Sequence, residues 1–198
     1  MNDRTIPSAQ SPVCDCDANP GAYGSVAIAL HWLVALLIVG SFIVGTYMVD
    51  LDLSPWKLKV YSWHKWIGVT IFLLVAARLA WRLTHRVPAA PVAMPAWQRH
   101  ASAISHSLLY LLMVAIPVSG WVMSSAAGIP VVYFGVLRLP DLVAKNKELF
   151  EFMKTVHYVL NYTLFAVVLL HVAAALKHHY VDRDGVLARM LPPLKPKG

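Results

Sequence analysis

Four long apolar runs constrain this chain more than anything else in it: about Val26–Val49, Ser62–Leu83, Ser102–Ser125 and Met153–Lys177. Each supplies about the 20 residues a helix needs to cross a hydrocarbon layer ~30 Å thick. The expected fold is therefore all-α, an integral membrane four-helix bundle. Composition agrees, since 58% of the residues are hydrophobic and 14% charged, against roughly 25% charged in a soluble domain. The connections are too short for an appended soluble catalytic domain, so any chemistry sits inside the bundle or at its rims. The chain divides into a polar tail over 1–25, the bundle over 26–180, and a basic, Pro-containing tail over 181–198. The expected surroundings are lipid, and no nucleic acid partner is indicated.

The first apolar run is too long for a signal-peptide core and lacks a small-residue cleavage site after it, so it reads as a retained helix. Cys14 and Cys16, a lone CDC in the tail, are too close for an ordinary disulfide and too few for a metal site; they read as free thiols. Four spans put both termini on one side. Ten of the 17 Lys and Arg residues fall on that side, and the positive-inside rule then predicts that both termini are cytoplasmic.

Histidines interrupt the apolar runs. An unpartnered polar side chain is costly in hydrocarbon, and ionisable groups in a span face a bundle interior or a functional site. His157 and His171 are 14 residues apart. On a helix that spacing returns the side chain to within roughly 40° of the same face, ~21 Å further along. Depth then selects their partners: His64, opening the second span at the outer rim, for His157, and His31, at the cytoplasmic rim of the first, for His171. Two histidines facing each other across a bundle are the axial ligands expected of a low-spin b-type haem. Two pairs predict two haem b groups.

Neighbouring residues fit that expectation. Gly68 follows His64 by one turn on the same face, where a missing side chain leaves room for a flat macrocycle. Arg78, 14 residues after His64, reaches the depth of the inner pair, where two readings stand: neutralising haem propionates or snorkelling to the interface. His106 and His178 are read as bordering a polar pocket beside the inner haem, suited to a quinone headgroup, with interfacial anchoring or hydrogen bonding to haem propionates as the alternative. His85 and His100 read as solvated loop residues.

The segments ALHW (29–32), HKWIG (64–68), ARLAWRL (77–83), IPVSGWVM (116–123) and LHVAAALKHHY (170–180) together resemble the bacterial cytochrome b561 family from about residue 25 to 192. The resemblance implies an inner-membrane oxidoreductase with haem ligands at His31, His64, His157 and His171. It also implies an activity like that of a superoxide oxidase, which passes electrons to ubiquinone. Lys57, Lys59, Lys65, Lys145, Lys147 and Lys154 lie on the side where a superoxide anion would arrive, but acidic residues there offset most of their charge. Two other functions remain open from sequence: a haem-binding membrane anchor subunit of a dehydrogenase or hydrogenase, and a haem-free, histidine-dependent transporter.

Overall fold

A computed structural model of the chain describes residues 23–85, 88–89 and 94–191; Cys14, Cys16, most of the N-terminal tail and the end of the C-terminal tail lie outside the described residues. Four helices, α1 (Ser25–Asp50), α2 (Pro55–Thr84), α3 (Ala96–Ala127) and α4 (Lys147–Lys177), run alternately up and down. All four are long and apolar enough to cross a membrane. They outrun the apolar stretches of the sequence because polar caps and interfacial side chains extend them beyond the hydrocarbon. Ser54 caps α2 by accepting from Lys57 N–H at 3.2 Å, with Pro55 in the first turn. Asn146 caps α4 by accepting from Leu149 N–H at 3.0 Å. Such caps satisfy donors that the helix itself leaves free. Gly128 ends α3 in a left-handed conformation (φ 73°) that suits glycine.

The helices pack in sequence order, α1 on α2, α2 on α3 and α3 on α4. Across the closing side, α1 and α4 meet through side chains: Phe42 stacks on Phe165 at 5.1 Å and meets Tyr162 edge-on at 5.8 Å. The buried core is a small layer of Val34, Ile71, Val75 and Met113, one or two residues from each of α1, α2 and α3. Large apolar side chains such as Leu36, Ile43 and Leu170 point outward and are mostly exposed. That is the pattern of helices whose outer faces meet lipid rather than water.

Between α3 and α4 lies an element that the helical periodicity does not announce. Val132–Tyr133 (β1) pairs antiparallel with Leu137–Arg138 (β2), turning through Gly135 at φ 74°. This hairpin is tied to α2: the Trp66 indole donates to the Val132 carbonyl at 2.7 Å, and Thr70 Oγ1 lies 2.9 Å from the Tyr133 hydroxyl. Leu142 N–H donates to Ser125 Oγ at 3.1 Å and Trp121 Nε1 to the Pro140 carbonyl at 3.0 Å, which fix the rest of the connection on α3. We call this the loop side, and the end where α1 begins and α4 finishes the tail side.

Trp66→Phe keeps the ring but removes the indole donor. It should cost about 1 kcal/mol and raise amide hydrogen exchange over residues 131–139, leaving exchange in the four helices unchanged.

Candidate functional site

Two levels of the bundle hold facing imidazoles. On the loop side, His64 of α2 and His157 of α4 have ring centroids 6.4 Å apart with planes at 87°. On the tail side, His31 of α1 and His171 of α4 are also 6.4 Å apart, at 59°. Two imidazoles bound in line to one metal, each nitrogen about 2.0 Å from it and roughly 1.2 Å from its own ring centre, have centroids about 6.4 Å apart. Both pairs therefore stand at the separation that shared axial ligation requires. A direct hydrogen bond between the rings would draw them closer.

The hydrogen bonds of the outward ring nitrogens decide which tautomer a ring presents. His157 Nδ1 lies 2.9 Å from Ser119 Oγ, and that hydroxyl donates its only proton to the Ile116 carbonyl at 2.8 Å. Ser119 must then accept from His157, so the proton sits on Nδ1 and Nε2 keeps the lone pair that a metal needs. His64 Nδ1 faces Ser41 Oγ more loosely, at 3.4 Å. Among the described residues, His31 Nδ1 is the buried side-chain polar atom that no protein group satisfies. The donor set, the spacing and the tautomer at His157 all fit a haem gripped from both faces.

Glycines let neighbouring helices approach these rings. A Cβ at Gly45 of α1 would lie 3.1 Å from His64 Cε1, and one at Gly120 of α3 would lie 3.2 Å from His157 Cε1. Either ring would have to shift. Gly68 differs: a Cβ there meets nothing within 4 Å, because the residue borders a cavity of about 890 Å³ that also reaches His64, His157, Gly120, Lys57 and Lys65. That volume lies within the range of sites for cofactor-sized ligands. Residues 129–132 and Leu139, around the hairpin, close its loop-side end.

A third imidazole joins the tail-side pair. The His106 ring of α3 meets His171 edge-on at 5.3 Å, and its Nδ1 donates to the Ser102 carbonyl at 2.7 Å, which leaves Nε2 with the lone pair. Arg78 lies within electrostatic reach of His31, His106 and His171, with its guanidinium 5.7 Å from the Tyr110 ring centre. No described carboxylate forms an ion pair with it, so it is a half-buried cation free to meet an anionic ligand group. His178 is held instead by carboxylates, Asp184 at 2.6 Å and Asp182 at 3.2 Å. His85 stacks on Trp81 at 3.6 Å, away from both pairs.

The loop-side lysines do not form a single basic rim. Lys57 Nζ donates to the Leu51 carbonyl at the end of α1, Lys59 lies over Trp63, and Lys154 pairs with Glu151 at 3.6 Å. Lys65 lines the cavity.

Ser41, Gly45 and Ser119 were not legible as site residues from spacing alone. For Gly45 the available signal was a glycine inside an apolar helix, where it costs about 1 kcal/mol relative to alanine, but Gly40 and Gly68 give the same signal with nothing within 4 Å of an added Cβ.

The sequence profile of the prokaryotic cytochrome b561 family matches residues 22–193. Cytochrome b561 homolog 2 of Escherichia coli K12 is 34% identical over 173 residues, covering 87% of this chain and 92% of the relative. A Yersinia pestis protein named probable superoxide oxidase CybB is 30% identical over 175 residues, covering 86% and 96%. Cytochrome b562 of Cereibacter sphaeroides is 27% identical over 180 residues, covering 88% and 97%. With its four spans and paired histidines, the chain belongs to the prokaryotic cytochrome b561 family, whose members are membrane cytochromes carrying electrons on b-type haem.

Proposed function

We propose that this protein is a dihaem oxidoreductase of the bacterial inner membrane, with both termini in the cytoplasm, that takes electrons from superoxide outside and delivers them to ubiquinone. His64 and His157 hold one haem b near the outer surface, and His31 and His171 hold the other near the cytoplasm. The observation that carries this reading is the pair of 6.4 Å histidine separations at two depths of one bundle. Haem supplies one-electron redox chemistry at each level, so electrons accepted on one face become available on the other. The superoxide limb draws support from the relative named a probable superoxide oxidase.

Several residues around the two pairs then have definable tasks. Ser119 keeps His157 in the ligating tautomer and, by accepting its Nδ1 proton, makes the imidazole a stronger donor. The layer of Val34, Ile71, Val75 and Met113 excludes water between the two levels. Arg78 offers a cation to haem carboxylates or to a reduced quinone at the inner level. His106 presents its Nε2 lone pair beside His171. Lys65, on the wall of the outer cavity, meets anionic groups there.

In a redox titration of the purified protein, reduction should show two b-type centres. His64→Ala and His157→Ala should each abolish the outer one and spare the other. Ser119→Ala weakens donation from His157 and so destabilises ferric iron relative to ferrous; the outer midpoint potential should rise by roughly 20–60 mV, with the inner one unmoved. Stopped-flow mixing of oxidised protein with superoxide should reduce haem within the lifetime of the superoxide. No reduction there would remove superoxide as donor.

A further inference from the structure

The chain's own C-terminal segment returns to the tail side of the bundle. Beyond α4, residues His178–Asp182 continue as a π-helical turn; Arg183 (φ 51°) and Gly185 (φ 73°) reverse the direction, and Leu187–Arg189 form a single 3-10 turn. The far end of this strap is tied to two other elements. Trp32, adjacent to His31, donates its indole N–H to the Met190 carbonyl at 2.9 Å. Arg189 donates to the Ala89 carbonyl, in the α2–α3 connection, at 2.6 Å.

The near end is tied to His178. One Asp184 oxygen, Oδ2, lies 2.6 Å from His178 Nδ1, and the other, Oδ1, accepts from Val186 N–H at 3.1 Å. An ionised carboxylate only accepts, so Nδ1 carries a proton and Nε2 is the nitrogen left for a ligand. Asp182 also approaches Nδ1, at 3.2 Å, but Lys177 claims the same oxygen at 2.6 Å. The His178 side chain is only 13% exposed. Seven residues beyond His171, it lies on nearly the same face of the helix, about 10 Å nearer the tail side.

We propose that Asp184 is a positioning residue for proton delivery to quinone: it holds His178 with Nδ1 protonated, so that Nε2 is the atom through which protons pass. This rests on the reading that quinone is reduced at the tail-side level. Converting one quinone to quinol takes two electrons, one from each of two donor molecules, and two protons. For each proton, the Nε2–H bond of the imidazolium breaks as an O–H bond forms on a quinone oxygen. The ring returns to the neutral form whose Nδ1–H Asp184 retains, and Nε2 takes the next proton from cytoplasmic water. The strap fixes the carboxylate that makes this geometry possible.

Asp184→Asn separates positioning from support. Its amide oxygen still accepts from Val186 N–H, so the turn survives. The NH2 group, however, faces Nδ1 as a donor and forces the neutral ring to carry its proton on Nε2, with Nδ1 blocked. The measurement is reoxidation of the reduced, haem-loaded full chain by a short-chain ubiquinone analogue and, separately, by ferricyanide, which takes an electron and no proton. We expect Asp184→Asn to slow the limiting rate with quinone about 100-fold. The half-saturating quinone concentration, the ferricyanide rate and the haem spectrum should be unchanged, and Asp184→Glu should recover much of the loss. Quinone reoxidation of Asp184→Asn at the unaltered rate, or equal slowing with both oxidants, would overturn the proposal and leave Asp184 as a support for the strap. If quinone fails to reoxidise the unaltered protein, the quinone reading itself falls, and the role of Asp184 falls with it.

Discussion

An imidazole within a membrane span needs a partner for each of its polar atoms, a need the protein's own side chains meet for one nitrogen of each loop-side ring and leave unmet at His31 Nδ1. Lipid offers no hydrogen bonds, so a solitary histidine carries a desolvation cost that tertiary structure has to offset. Here Ser119 and Ser41 take up one nitrogen of each loop-side ring. Facing rings at 6.4 Å are too far apart to satisfy each other and well separated to share a metal. The same requirement explains why α1 and α4 keep their backbones apart while their side chains meet, because a bundle closed evenly on all sides would crush the space between the pairs.

The midplane layer gives the two levels their independence. Val34, Ile71, Val75 and Met113 pack between them, in the part of the bundle where helices meet with little polar character. Above and below that layer the packing loosens around glycines. Gly45 and Gly120 bring helix backbones against the loop-side rings, whereas Gly68 leaves cavity volume beside them. Small residues thus serve two opposite ends within one site: close contact with a ring at Gly45 and Gly120, and open volume at Gly68.

Irregular structure closes both ends of the bundle. On the loop side a short hairpin hangs from Trp66 and Thr70 and covers the cavity. On the tail side the strap from Arg183 to Leu191 is held by Trp32, Asp184 and Arg189. Non-helical backbone at these positions satisfies its polar groups on tryptophan indoles and side-chain carboxylates, as it must at a membrane boundary.

Much of this was readable from residue order. Apolar runs of spanning length dictated four helices, and the 14-residue interval between His157 and His171 put two imidazoles on one face at two depths, because helical rise and rotation are local properties of the backbone. Depth matching then named His64 and His31 as their counterparts, and Gly68 as a gap. What only the tertiary structure decided was everything that depends on how helices are rotated and spaced against one another: Ser119 rather than another hydroxyl on His157, Gly45 against His64, and the edge-on contact that sets the expected His106 against the His171 ring. The hairpin and the strap belong to the same class. The bonds that anchor them to α1 and α2 join residues tens of positions apart or more, and no local periodicity carries the distance between two helices that are not neighbours in sequence.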